Sequence, residues 1–182
     1  MMQAVRTLVE RDVLVGVPQD TTGRSDGDGI NNATLAYIHD SGSPGSNIPA
    51  RPFMDPGIRH AQPQIVAALR RAATLTLEGK DGTPGLMQAG DVAAVGIRKA
   101  ITNGDFVPLK PATIANRYRQ RETATQRKDE VLYAKLLSDH MATGMSPDAA
   151  AGLAQSQANI HPLINTGGLL KSITYVIRRN KA

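Results

Sequence analysis

Histidines are the first residues of this 182-residue chain to test for catalysis or metal binding. They stand at positions His39, His60, His140 and His161. No two are four residues apart, and the zinc-protease pattern HExxH does not occur. A zinc site needs three converging ligands, and the chain contains no cysteine to supply thiolates. The sequence therefore predicts no metal site and no cofactor.

The run from Asp26 to Gly29 is the closest approach to a cation-binding loop. The glutamate that closes an EF-hand loop is missing, because Tyr37 occupies its position. The run therefore predicts a turn. Nucleotide-binding glycine motifs and the GxSxG elbow are also absent, so no cradle for phosphates and no activated serine is indicated.

Carboxylates are scattered along the chain, and no pair of them suggests a glycosidase or a nuclease. The sequence thus predicts no catalytic residue and a protein that is not an enzyme. An enzyme with a divided site is the weakest alternative. It would have to combine His39 or His60 with Asp40 or Asp55.

Basic residues give the chain a net charge of +5, which permits an acidic partner such as DNA. Arg117, Arg119 and Arg121 are the candidates for facing DNA, and Tyr118 between them could stack on a base. Solvated arginines or salt bridges between subunits explain the pattern better, because the strand motifs of RNA-binding domains are absent. A basic nucleic-acid-binding module remains the alternative of another class.

The core that must position these residues is built from small aliphatic side chains. Hydrophobic residues make up 41% of the chain, but aromatic residues only 3%, and tryptophan is absent. Such a core has few large anchors, so we expect modest stability of the monomer, completed by subunit contacts. No apolar run approaches the roughly 20 residues that span a bilayer, and no signal peptide is recognisable at the N-terminus. We expect no membrane partner and synthesis in the cytoplasm.

Hydrophobic periodicity predicts strands near both ends of the chain and helices between them. The predicted strands cover residues 13–17 and 171–177, and residues 106–109 are the candidate for a third. The predicted helices cover residues 1–10, 33–39, 57–78, 87–102, 121–144 and 147–158, with short capped turns at 113–117 and 166–170. A mobile loop is expected at about 19–30. The fold class is α+β, a single domain of residues 1–182 with a small, mostly antiparallel sheet packed against two or more long helices.

The segment 48–56 holds three prolines in nine residues, which excludes a regular helix or a central strand. It also carries Ile48 and Phe53, so an ordered extended strap fits it better than a loose linker. Arg51, between two of the prolines, suits a bidentate contact with a carboxylate. The strap is predicted to dock on a helix or on a neighbouring subunit, and packing on its own domain alone is the alternative.

Two blocks of sequence carry a resemblance to a known family. The first runs NATLAYIHDSGSPGSNIPARPFMDPGI over residues 32–58, and the second runs HPLINTGGLLKSITYVIR over residues 161–178. In order and spacing they resemble the neck or tail-completion (head–tail joining) proteins of long-tailed bacteriophages. That family has an A-x-I-H-E-x-G helix, then IPARPF and a long helix, and later PLIDTGxLxxSI with a last strand.

This chain departs from the family pattern at a few positions. Asp40 stands for glutamate, Asn165 for aspartate and Gly168 for a longer residue. Residues 121–160 are interpreted as an additional helical insertion between the two blocks.

The resemblance implies a structural virion protein that forms a ring, with a hexamer as the expected copy number, at the head–tail junction or the top of the tail. A tail terminator or another tail-top ring protein is the nearest alternative. The implied partners are other copies of the chain and the connector, adaptor, tail-terminator or tail-tube proteins, with DNA passing through the channel without specific binding. The expected subunit or assembly contacts are Ile48, Arg51, Phe53, Leu163, Thr166, Leu169 and Ile173.

Overall fold

The computed structural model of the protein describes residues 10–18 and 30–179. These residues are mainly helical and contain a small two-stranded antiparallel sheet, so the predicted α+β class is confirmed in its coarse form, with helices dominating. The strands are β1 (Arg11–Gly16) and β2 (Thr174–Arg179). The helices are α1 (Asn32–Ser41), α2 (Met54–Leu77), α3 (Thr83–Asn103), α4 (Pro111–Gln120), α5 (Lys128–Ala142), α6 (Pro147–Gln157) and α7 (Gly168–Ser172), with a 3-10 turn at Pro44–Ser46.

The chain forms two compact units. The first comprises the described residues up to 104 together with those from 167 onwards, and the second comprises residues 105–166. The predicted helical insertion at 121–160 lies within the second unit. The predicted helix at 1–10 and the predicted loop at 19–30 fall, apart from Glu10 and Ile30, outside the described residues.

Small residues bring α2 and α3 of the first unit into close antiparallel contact. A methyl group at Gly57 would lie 2.6 Å from Ile97 Cα, and one at Gly96 would lie 2.6 Å from the Gly57 carbonyl oxygen. Towards the other end of the pair, a methyl group at Gly85 would lie 2.7 Å from Ala72 Cα. The missing side chains therefore let the two backbones touch.

The sheet joins the first and last strands, as predicted. β1 and β2 pair antiparallel with Leu14 opposite Val176. Tyr175 of β2 lies over Gly90 of α3, where an added methyl group would come within 2.3 Å of the ring. Arg98 of α3 donates a hydrogen bond of 2.6 Å to the Ile173 carbonyl oxygen. The sheet is therefore seated on α3.

Residues 106–109 do not form the third strand that their sequence suggested. In place of a ladder bond, the Leu109 N–H donates to the Gln155 side-chain oxygen at 2.7 Å. Pro108 has no N–H to give to a ladder. Leu109 instead joins the core of the second unit, whose other buried members are Ile114, Tyr133, Ala154, Ala158 and Ile160.

Several element boundaries differ from the sequence prediction, and two of them differ for local reasons. The helix expected from residue 121 begins at Lys128, because the Gln126 side chain accepts from the backbone of Glu122 and Thr123 and holds the preceding residues in a turn. The last strand begins at Thr174 rather than at 171, because α7 continues to Ser172. In α2, the helix runs through Pro63 without ending there.

Candidate assembly site

The strap, here defined as residues 48–53, is ordered and extended as predicted. A tight turn precedes the strap, in which Ser43 and Ile48 exchange two backbone hydrogen bonds of 2.9 and 3.0 Å. The Arg51 N–H then donates to the His39 carbonyl oxygen at 2.8 Å. These bonds dock the strap on the C-terminal end of α1 in its own unit.

Asp40 fixes the point where the strap becomes α2. Its carboxylate oxygen Oδ1 accepts from the backbone N–H groups of Phe53 at 2.8 Å and Met54 at 3.0 Å. The first N–H groups of a helix have no partner within the helix, and a carboxylate there also interacts favourably with the helix dipole. Asp40 therefore caps α2 from α1, which gives a structural role to the acidic position of the first motif.

Gly42, two residues after Asp40, is required by the backbone. Its φ is +78°, and a methyl group there would lie 2.8 Å from the Ala50 nitrogen. Only glycine accepts that conformation without cost, and only a residue without a side chain lets the strap pass so closely. Asp40 and Gly42, the Asp-x-Gly part of the motif, therefore hold the strap against α1.

The strap residues expected to contact a neighbouring subunit lie at different depths. Phe53 is fully buried and Arg51 is 4% exposed, and burial lowers the pKa of the Arg51 guanidinium. Both side chains therefore anchor the strap within the subunit, which is the alternative that the sequence left open. Ile48 is half-buried, while Ala50 and Pro52 are exposed, so these three residues form the surface that the strap presents.

The four expected contact residues of the second motif are mostly interior. In the first unit, Leu169 and Ile173 are buried, and in the second unit Leu163 is buried while Thr166 is exposed. Of these four, only Thr166 is exposed.

Arg117 is a structural residue of the second unit rather than a surface arginine. Its guanidinium donates to the carbonyl oxygens of His161 at 3.1 Å, Pro162 at 2.9 Å and Ile164 at 3.2 Å, and the residue is 9% exposed. These three hydrogen bonds to main-chain oxygens fix the segment that follows α6. Arg117 is therefore not available to a DNA phosphate, because its charge is directed into the protein.

The neighbouring arginines are also used locally. Arg121 Nε lies 2.8 Å from the buried Glu130 carboxylate and forms an ion pair with it. The contact is not a hydrogen bond, because the Nε–H of Arg121 is not directed at the carboxylate oxygen. Arg127 stacks 5.0 Å from the centre of the Tyr118 ring and donates to the Arg121 carbonyl oxygen at 2.8 Å. Arg119 is exposed and bonds to the Asn116 side chain. Of the three candidates for facing DNA, Arg119 alone is fully on the surface.

The carboxylates proposed for a divided enzyme site have structural partners. Asp40 caps α2, and Asp55 forms an exposed ion pair with Arg59 at 2.8 Å. Within residues 10–18 and 30–179, no three histidine or carboxylate side chains are grouped so that they could hold a metal ion. None of the helices in this part of the chain is long and apolar enough to cross a membrane.

A feature that motif reading missed is an exposed apolar stripe along α2. The stripe, here called the α2 flank, consists of the exposed residues Ile58, Val66, Leu69 and Leu77 and the half-buried Ile65. At about 100° per residue these positions cover a sector of roughly 120°, beside the narrow stripe of small residues that faces α3. Leu77 is 53% exposed and Leu69 is 40% exposed. The sequence periodicity was visible, but it did not reveal that α3 covers only part of the apolar face.

Comparisons with protein-family models, curated proteins and solved structures give no match to this chain.

Proposed function

We propose that this protein is a non-enzymatic structural subunit of a tailed bacteriophage, forming a homo-oligomeric ring at the head–tail junction or the top of the tail. It would complete the tail or join it to the head, and its localisation would be the virion. The α2 flank is the observation that carries the assembly part of this proposal. The phage assignment rests on the resemblance of the two motif blocks.

The α2 flank suits a subunit contact because large apolar side chains recur along one side of a long helix. Contiguous exposed apolar surface is typical of sites where another protein binds. The side of α2 that is already covered contributes only glycine, alanine and threonine, so the large aliphatic side chains are those left over for a partner. A ring closes by a head-to-tail contact between two unlike surfaces, so the α2 flank needs a different surface on the next copy.

The strap supplies a second surface in the same unit. Its conformation is held by Asp40, Gly42 and the His39 carbonyl oxygen, so little conformational entropy is lost when Ile48, Ala50 and Pro52 meet a neighbour. Of the expected contacts, Ile48 and Thr166 keep that role in the proposal. Arg51 and Phe53 support it indirectly by fixing the strap.

The proposed partners are other copies of the chain and the connector, adaptor, tail-terminator or tail-tube proteins of the same virion. DNA would pass through the ring without specific binding. The local engagement of Arg117, Arg121 and Arg127 supports this, because it leaves few basic side chains of that cluster for phosphates. A tail terminator or another tail-top ring is the alternative location.

The oligomeric state of the purified protein tests the assembly part. We expect light scattering and native mass spectrometry to show a closed oligomer, and Leu69→Glu to convert it to monomers. Ala67→Glu is the matched control, because Ala67 is exposed on the opposite side of α2. A monomer that binds DNA tightly, with affinity falling steeply as salt rises, would favour the nucleic-acid-binding alternative.

The location is tested by electron microscopy of virions labelled with an antibody against this protein. Label at the junction of head and tail, or at the top of the tail, is the expected result. Label on the capsid or the tail tip, or none on intact particles, would contradict the proposed location.

A further inference from the structure

The two-stranded sheet of the first unit leaves backbone groups of β2 without hydrogen-bond partners. Among the described residues the sheet contains only β1 and β2, so each strand has a neighbour on one side. In an antiparallel pair, alternate residues direct their N–H and C=O groups away from the partner strand. Residues 174–179 make no backbone hydrogen bond to any described residue outside this pairing. The outer edge of β2 is therefore open to a further strand.

The sequence of β2 favours pairing at this edge. Its first four residues, TYVI, are β-branched or aromatic and include no charge and no proline. Edge strands of natural sheets are commonly protected from pairing by charges, prolines or bulges. In β2 the charged residues Arg178 and Arg179 stand only at the end of the strand, and the register with β1 contains no bulge. Most of the open edge thus lacks these protections.

The face of the sheet that is turned away from α3 is apolar and exposed beside this edge. Tyr175 lies over Gly90 of α3, so by alternation Val176 is on the opposite face. Val176 is 50% exposed, and Leu14, which is directly opposite it on β1, is 40% exposed. A strand added beside β2 places a third side chain next to this pair. The added strand would therefore gain side-chain contacts as well as backbone hydrogen bonds.

Charge favours β1 of a second copy, rather than its β2, as the added strand. A second β2 would bring its own two arginines, so that four arginines would share two neighbouring strands. β1 instead carries Arg11 and Asp12, and it already pairs with β2 in a register that sets Asp12 opposite Arg178, at 3.9 Å. The same register at the outer edge of β2 keeps the side chains on matching faces, because opposite residues of an antiparallel pair share a face.

Pairing β2 with β1 of another copy is a head-to-tail contact, as a ring requires. The outer edges of β1 and β2 are unlike surfaces, so each copy can receive a strand on one side of its sheet and offer one on the other. In a closed ring the sheets then join into a barrel, which has no free edge left. Pairing β2 with a second β2 uses the same edge of both chains and is complete in a dimer.

We propose that the outer edge of β2 pairs antiparallel with the outer edge of β1 in the next copy of the chain. The register places Val176 opposite Leu14 of the next copy. This inference rests on the proposed ring. It adds to the α2 flank a second subunit contact, which is made by the main chain.

Cysteine crosslinking tests the pairing, because the chain has no cysteine of its own. Leu14→Cys and Val176→Cys are carried by separate chains that are expressed together, which excludes a bond within one chain. Directly opposite residues have Cβ atoms about 4.5–5.5 Å apart, so a small adjustment allows a disulfide. We expect covalent dimers after mild oxidation of the mixture and none from either variant alone. Tyr37→Cys with Val176→Cys is the matched control and should give none, although Tyr37 is 71% exposed in the same unit.

The outcomes separate this pairing from the ring itself. If light scattering shows closed oligomers of the mixture but no covalent dimers form, the pairing is wrong and the α2 flank contact stands. Covalent dimers from Val176→Cys alone would assign the edge to a second β2 and overturn the proposal. A wild-type protein that stays monomeric would refute the ring and the pairing together.

Hydrogen exchange of the wild-type oligomer provides a measurement that does not depend on the variants. About half of the N–H groups of β2 point to its outer edge. If the edge is paired, all N–H groups of residues 174–179 should exchange slowly in the oligomer. Rapid exchange of the outer half in the intact oligomer would overturn the proposal even if the cysteine variants failed to assemble.

Discussion

The Asp40 cap gives the sharpest prediction about the first unit, namely the effect of Asp40→Ala. The substitution removes the acceptor of two backbone N–H groups at 2.8 and 3.0 Å. Losing a helix cap costs about 1 kcal/mol, and up to about 2 kcal/mol in favourable contexts. The Phe53 N–H is partly buried and would be left without this partner, which adds a cost of about 1 kcal/mol. We expect a total loss of about 2–3 kcal/mol in the free energy of unfolding.

The assay is urea denaturation followed by circular dichroism at 222 nm. Asp40→Asn separates hydrogen bonding from charge, because its side-chain oxygen still accepts while its interaction with the helix dipole is lost. We expect it to cost less than about 1 kcal/mol. Asp55→Ala is the matched control, since Asp55 lies in the first turn of the same helix but makes only an exposed ion pair. It should change the free energy of unfolding by less than about 1 kcal/mol.

Two results would refute this reasoning. If Asp40→Ala costs no more than Asp55→Ala, the two hydrogen bonds do not hold the strap to the start of α2. If Asp40→Asn is as damaging as Asp40→Ala, charge rather than hydrogen bonding is the source of the stabilisation.

Three further predictions concern other residues. Gly42→Ala should lower the free energy of unfolding by about 3 kcal/mol, because it combines a positive φ with a clash against the strap. At Gly45 an added methyl group meets open space, so Gly45→Ala should change the free energy of unfolding by less than about 1 kcal/mol. Chemical denaturation compares the two variants. Arg117→Ala should destabilise the second unit by about 3 kcal/mol, because three hydrogen bonds to main-chain carbonyl groups are lost. Arg119 is exposed, so Arg119→Ala should destabilise the unit by less than about 0.5 kcal/mol. Hydrogen exchange of residues 105–166 measures both effects. Burial, and secondly the nearby carboxylate of Asp91, raises the pKa of Tyr175, so the folded state keeps a proton that the unfolded state loses above about pH 10. The free energy of unfolding should therefore fall as the pH rises through that value. Thermal melts between about pH 8 and 11 should show a less steep fall for Tyr175→Phe. A fall of the same steepness in Tyr175→Phe would assign the alkaline loss to other groups.

Local sequence determined the elements whose ends depend on neighbouring residues. The N-cap of α1 is Asn31, whose side chain accepts from the Thr34 N–H at 2.8 Å. The helix predicted over 147–158 begins at Pro147, because proline suits the first position of a helix. The prolines of the strap predicted its extended form. In each case a side chain or ring acts within a few residues, so the linear sequence contains the relevant geometry.

Tertiary structure decided the roles that depend on residues far apart in the chain. Asp40 caps a helix that begins thirteen or more residues later, and Arg117 bonds to carbonyl groups more than forty residues away. Neither partnership has a local signal, so the sequence offered Asp40 only to a divided enzyme site and Arg117 only as a candidate for facing DNA. Residues 106–109 had the composition of a strand, but the Gln155 side chain took the N–H that a ladder would have used.

The candidate assembly site divides in the same way between sequence and structure. The sequence alone determined the small-residue composition, the strap and the long amphipathic helix that follows it. Only the folded chain shows that Phe53 and Arg51 face inwards and that α3 covers a narrow stripe of α2. The physical reason is that periodicity records which side chains are apolar, whereas the packing of neighbouring elements decides which of them are left exposed to meet a partner.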